Sequence, residues 1–533
     1  MTRPIMLPEA SFTPVTTRRL ARPELLWQDD HAQAQGFNAE RVFCGPVAGD
    51  APNAYADDTR VEWVDHYGGT GVGAAGGSGR CAAHGELQTK GVGPTPLVGH
   101  DADAHHSSGE QTVLSALAEA VFAQVFQAAL PFGAVPTLAV LLTQRSKGTR
   151  LSPKARAITV RPFVLRPAHF MRNMFNQQQR RPQGALAPGL TRDTYRVSQA
   201  LQYLISGLED CLGADADDDL GKIDQGFREL TRRLAWQFAA SFAKRLPHGS
   251  VSCSNISLAG QFIDYGMSHA LPTYRRPSDS VQDPWSESQR PLQTLSLLRQ
   301  QMDKYLPGLR GVPVAQLDEL SHLYWTTYTE RQSIEMAKMA GLTEDLAQAC
   351  SPDLLMAWLQ AMQRLWIAGG RQVLAPRDPT EAWRPMPVDP KFPDLNRILA
   401  AAAPHGGAEA MDRSIAPLVA DERMRSQFVD AALAVRRAVK YPLGDGAADA
   451  FDTYLARQAE RKNDVMPQFE RDSWFRIGVV AQMLEEDFQP AAVQTLMAEA
   501  VGSARRTLAD LAPDIPGTSG IEQVHALSLQ SVA

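Results

Sequence analysis

The chain has 533 residues, of which 44% are hydrophobic and 21% charged, with a formal net charge of -6. That length suits two or three domains, and the mild acidity gives no electrostatic reason to expect nucleic acid as the partner. Five scattered cysteines without a C-x-x-C pair speak against a disulfide framework or a cysteine zinc site and predict a reducing, cytoplasmic setting. The opening Met1-Thr2-Arg3-Pro4 lacks the apolar core of a signal peptide. Ala118 to Leu142, the most apolar stretch, is broken by Gln124, Gln127, Pro131 and Pro136, so it predicts a buried helix, a turn and a strand, and no membrane span.

In chain order, Arg60 to His66 alternates as a strand, and His66 to Arg80 is dense in glycine. Glu86 to Lys90 predicts a second strand, Leu114 to Ala129 a helix, and Thr137 to Leu142 and Ala157 to Val164 further strands. From about Asp193 the pattern turns helical, with three-four apolar spacing over 228–246, 292–305, 317–340, 352–366, 425–439 and 475–484. A proline-rich connector runs from Pro376 to Pro393. The expected fold is α+β and bilobed: a small mixed lobe over 1–165 and a mainly helical lobe over 166–533.

Gly71-Val72-Gly73-Ala74-Ala75-Gly76 fits G-x-G-x-x-G, and Gly77 and Gly79 extend it. Such loops let backbone N–H groups approach phosphate, but surface glycine loops are common and the pattern alone carries little. A dinucleotide site needs a helix directly after the third glycine. Here a second strand follows and ends in Lys90, which is the order of a kinase-like site. Glu119, mid-helix, is the expected carboxylate partner of Lys90, with a solvent-facing glutamate as the alternative. Asn255 and Asp264 stand nine positions apart, on what the apolar flanks Ile256, Leu258, Phe262 and Ile263 predict to be neighbouring strand ends; Asp264-Tyr265-Gly266 resembles D-F-G, so the two are candidate Mg²⁺ ligands. No H-R-D precedes Asn255.

These motifs resemble the selenoprotein O / YdiU pseudokinases, which are protein adenylyltransferases. The resemblance is carried by His66-Tyr67-Gly68 through Gly79-Arg80, by Glu86-Leu87-Gln88-Thr89-Lys90-Gly91-Val92-Gly93-Pro94-Thr95-Pro96 and by Gly260-Gln261-Phe262-Ile263-Asp264-Tyr265-Gly266. It covers about residues 60 to 270, with Met339-Ala340-Gly341-Leu342 a faint later echo. It implies a kinase-like fold that binds ATP in flipped orientation with Mg²⁺ or Mn²⁺ and transfers AMP to a protein or peptide. By position Lys90, Glu119 and Arg161 are the expected catalytic residues, and Asn255 and Asp264 the metal ligands. Gly76, Gly77, Gly79, Arg80, Lys90, Gly109 and Arg161 are expected at the nucleotide, with Arg166 and Arg172 competing for one further phosphate contact.

The chain departs from the family in two respects. Ser108-Gly109-Glu110 replaces an Asp-Gly-Arg, after an insert, His100 to His106, that reads as a polar loop before it reads as a metal site. Ser254 stands where the family has its general base. A carboxylate acceptor is already ionised at neutral pH and needs no base, whereas a hydroxyl does. The expectation is therefore a carboxylate acceptor and an acyl-adenylate product. The divergent pattern, including Arg166-Pro167-Ala168-His169-Phe170, resembles a branch associated with siderophore-microcin maturation, and that resemblance implies a peptide C-terminus activated for a partner acyltransferase. The alternatives are AMP transfer to Ser, Thr or Tyr hydroxyls, an ATP-binding protein without turnover, and a helical scaffold that binds no nucleotide.

Overall fold

The computed structural model describes residues 3–30, 38, 42–45, 54–69, 76–98, 108–144, 156–173, 188–271, 284–367, 407–417 and 419–443, and a few isolated positions beyond. The glycines at 71 and 73, the insert at 100–106, the connector at 376–393 and the expected helix at 475–484 lie outside the described residues.

The described strands are β1 (Phe12–Leu20), β2 (Glu24–Gln28), β3 (Phe43–Cys44), β4 (Tyr55–Asp65), β5 (Cys81–His84), β6 (Leu87–Lys90), β7 (Ala139–Gln144) and β8 (Arg156–Pro162). They form one sheet in the order β2-β7-β8-β6-β5-β4-β1-β3. Every ladder in it is antiparallel.

The two-residue period of the strands divides the sheet cleanly between two apolar clusters. Ala83, Val140, Leu142 and Ala157 join the large core on one face. Ala82, Ala139, Leu141, Ile158 and Val160 join a smaller cluster on the other. Register then decides which polar residues face the large core. Gln88 pairs with Arg161 and Lys90 with Thr159, in phase with Ala83 and Ala157. Directly opposed residues share a face, so these four side chains point the same way.

Helix α1 (Val113–Ala129) covers that face. Thr112 caps it by accepting the Ser115 N–H at 3.2 Å. The helix is buried around nearly its whole circumference, as expected of one packed on both sides. Phe126 stacks edge-on against Phe262, 5.4 Å between centroids, which joins α1 to the segment carrying Asn255 and Asp264.

The remaining described helices are α2 (Pro188–Leu201), α3 (Leu204–Leu212), α4 (Asp219–Ala243), α5 (Arg290–Tyr305), α6 (Leu317–Met339), α7 (Glu344–Gln348), α8 (Pro352–Ile367), α9 (Ala408–Ile415) and α10 (Glu422–Leu443). Asp218 caps α4 through the Gly221 N–H at 2.6 Å. Gln237 of α4 binds the turn after α1 at both ends of its amide: Nε2 donates to Gly133 O (2.7 Å), and Oε1 accepts from Phe132 N–H (3.0 Å). Over the described residues the fold is mixed α+β, with one antiparallel sheet and many helices. Among the described residues no helix is long and apolar enough to cross a membrane.

Two expectations change in detail. Strands β1 and β2 precede the first strand expected from sequence. Asn255 and Asp264 do not lie on strands: they flank a tight loop closed by a single bridge between Ile256 and Phe262. Ile263 N–H donates to Asn255 O at 3.0 Å, which sets Asn255 beside the residue preceding Asp264.

Candidate nucleotide site

Lys90 closes β6 and points at α1, where Glu119 faces it. The pair is buried, each side chain 1% exposed, and Lys90 Nζ donates to Glu119 Oε1. Lys90 also donates to Asp264 Oδ1 at 2.7 Å. One ammonium thus joins the sheet, the helix and the loop between Asn255 and Asp264. Gln111 completes the cluster, donating to Glu119 Oε1 (3.1 Å) and accepting from the Thr159 hydroxyl (2.8 Å). Glu119 is therefore not the solvent-facing glutamate of the alternative reading.

Asp264 is 30% exposed and adopts φ 69°, the left-handed region that Asp tolerates better than most residues. Burial alone would raise its pKa. The charges of Lys90, Arg80 and Arg161 outweigh that and hold it below the usual carboxylate range. Asn255 donates from Nδ2 to Ser250 O (2.8 Å), which leaves Oδ1 as its acceptor end. Ser254 is buried, its hydroxyl 2.9 Å from that of Ser252.

The glycine segment returns to its starting point. Ser78 N–H donates to Asp65 O (3.1 Å), so the loop leaving β4 closes on the last residue of that strand. Gly76 and Gly77 take φ 124° and 143°, and a Cβ at Gly77 would collide with the Asp65 carbonyl. Gly79 accepts the Thr95 N–H at 3.1 Å, next to Arg80. Arg80 Nη1 is buried without a hydrogen-bond partner in the described structure. Gly109 (φ 68°) packs against the backbone of Gly93, whose N–H it accepts at 3.1 Å. Next to it Glu110 pairs with Arg156 at 3.0 Å.

Of the competing arginines, the structure brings Arg166 to Arg161. Gln88 Oε1 accepts from Arg161 Nε (3.0 Å) and from Arg166 Nη2 (2.8 Å). Arg172 turns elsewhere, to Asp193 (3.2 Å) and the Tyr305 hydroxyl (3.3 Å). The cause is the 3-10 turn at Pro167–Phe170, which redirects the chain after Arg166. Sequence reasoning missed Gln88, Gln111, Asp65 and His169 as members of this cluster; the signals were the place of Gln88 inside Glu86–Lys90 and of His169 inside Arg166–Phe170.

Set against the carboxylates of Asp65, Glu119 and Asp264, the cations Arg80, Lys90, Arg161 and Arg166 leave one positive charge in excess. A buried cationic surplus with an unpaired guanidinium nitrogen suits a polyphosphate. Asn255 and Asp264 offer the hard oxygen donors that Mg²⁺ takes alongside substrate phosphates.

No protein-family model matches the sequence. The chain is 30% identical over 210 residues to the human (Homo sapiens) mitochondrial protein adenylyltransferase SelO, covering 36% of this chain and 29% of that protein. It is 30% identical over 211 residues to the mouse (Mus musculus) counterpart, covering 36% of this chain and 30% of that protein. The match thus spans less than a third of either relative. Over that part, the chain is related to the SelO adenylyltransferases.

Proposed function

We propose that the protein is an ATP- and Mg²⁺-dependent adenylyltransferase acting on a protein or peptide, built as a kinase-like bilobed fold with lobes over 1–165 and 166–533. The observation that carries this reading is the bridging of Glu119 and Asp264 by Lys90 beside Arg80, Arg161 and Arg166. Sequence similarity to proteins named adenylyltransferases supports AMP as the group moved.

In this scheme Arg80, Arg161, Arg166 and the backbone at Gly76, Gly77 and Gly79 hold phosphate oxygens. Lys90, oriented by Glu119, offsets charge that accumulates on them as the bond to the leaving group breaks. Asn255 and Asp264 would hold Mg²⁺, which when bound screens the phosphates. An acceptor oxygen attacks the α-phosphorus, the bond to the bridging oxygen breaks, and pyrophosphate departs with the electron pair.

The finer reading is a carboxylate acceptor, a peptide C-terminus activated as an acyl-adenylate for a partner acyltransferase, as in siderophore-microcin maturation. Ser254 favours it. Its buried hydroxyl, hydrogen-bonded within the Ser252–Ser254 pair, cannot take a proton from an attacking alcohol near neutral pH. Transfer to Ser, Thr or Tyr is the alternative and needs a base from elsewhere.

Incubation with ATP labelled at the α-phosphorus tests both levels. The expected result is pyrophosphate release and label on a protein or peptide, removed by hydroxylamine with formation of a hydroxamate. Label resistant to hydroxylamine would point to a hydroxyl acceptor. Bound ATP without label transfer or pyrophosphate would contradict the enzymatic reading.

A further inference from the structure

Beneath the paired arginines lies a chain of buried side chains that no step above uses. His169 Nδ1 accepts the Arg166 backbone N–H at 3.0 Å, so that nitrogen carries no proton. The ring proton therefore sits on Nε2, which faces Asp65 Oδ2 at 3.1 Å and donates to it. Burial keeps the imidazole neutral, in agreement with that tautomer. Asp65 Oδ1 in turn accepts from Gln88 Nε2 at 3.2 Å. With its nitrogen so engaged, the Gln88 amide can present only its oxygen to Arg161 and Arg166. Asp65 also anchors the end of the glycine segment through its backbone carbonyl.

We infer that His169, Asp65 and Gln88 are positioning residues that hold Arg161 and Arg166 side by side through a neutral amide, leaving both guanidinium charges available to phosphate. This inference rests on the ATP reading of the site. Two buried guanidinium groups repel, and a carboxylate at position 88 would join them more strongly. It would also neutralise them. Gln88 fixes their geometry without that neutralisation, while the compensating charge stays one residue further back, on Asp65. All five side chains are buried, with Asp65 and His169 0% exposed, so water does not compete for these bonds.

The double variant Asp65→Asn/Gln88→Glu separates positioning from structural support. It reverses the 65–88 hydrogen bond, leaves His169 a carbonyl acceptor, conserves net charge and moves the negative charge between the arginines. Titration calorimetry with ATP and, separately, with adenosine is the readout. The expected result is ATP binding weaker by about tenfold or more, with adenosine binding and the thermal midpoint unchanged. ATP binding equal to wild type, or an equal loss for adenosine and ATP, would overturn the inference. If the double variant does not fold, Gln88→Met, which removes the shared acceptor, is expected to weaken ATP and spare adenosine, and the same two outcomes would overturn it. Wild-type protein that binds neither compound would refute the ATP reading, and this inference with it, which distinguishes that failure from the others.

Discussion

Lys90→Met is expected to abolish AMP transfer and to destabilise the fold, and the two losses have separable causes. The ammonium lies between two carboxylates, and Glu119 is 1% exposed. Removing one partner of a buried ion pair typically costs about 3–5 kcal/mol, because the other charge is left uncompensated. A loss of about 3 kcal/mol in urea denaturation is expected. Transfer should fall by at least about 100-fold, the usual consequence of removing one preorganised charge from a phosphoryl site. Adding Glu119→Gln to Lys90→Met removes the orphaned carboxylate. Most of the stability should return while transfer stays lost. Recovery of both together would mean that Lys90 serves the fold alone.

Asp264→Asn is expected to cost activity above all, together with the stability at neutral pH that the Asp264 charge contributes beside Lys90, Arg80 and Arg161. Asn tolerates the left-handed backbone at φ 69° and retains an oxygen for Lys90, so the loop should keep its shape. What disappears is the negative charge, and with it one of two proposed oxygen ligands for Mg²⁺. Transfer is expected to fall by about 100-fold or more.

Acid stability reports on the same group. The folded-state pKa of Asp264 is depressed below its ordinary 3.8, so its contribution is complete above that value. It is lost as the pH falls further, toward the lower folded-state value. Wild type should therefore lose stability relative to Asp264→Asn on acidification below about pH 4, measured by urea denaturation at a series of pH values. A constant difference between the two proteins would show that the Asp264 charge is not engaged with Lys90 in solution.

The parts of the site legible in the sequence were those written by local periodicity. Strand β6 ends at Lys90, and the three-four apolar spacing of 114–129 places Glu119 one helix away. The Asp-Tyr-Gly at 264–266 marks a turn that glycine and aspartate favour on their own. The arginine pair was not legible in the same way. Its partners come from β4, β6, β8 and the 3-10 turn, with Gln88 and Arg166 78 positions apart and Asp65 and His169 104 apart. No spacing rule reaches across such gaps; only sheet register does. That Arg166 lies beside Arg161 while Arg172 turns to Asp193 follows a change of direction at Pro167 that neither residue signals. Strand β1 escaped notice because Phe12–Leu20 is half-exposed, carries Pro14 and leaves only its first, sixth and last residues buried.

A structure of the protein with Mg²⁺ and a non-hydrolysable ATP analogue decides whether these residues hold nucleotide. The triphosphate is expected beside Arg80, Lys90, Arg161 and Arg166, metal on Asn255 and Asp264, and the α-phosphorus at the open end of the site. A γ-phosphate facing that opening would indicate phosphate transfer, and a nucleotide bound away from these residues would contradict the site itself.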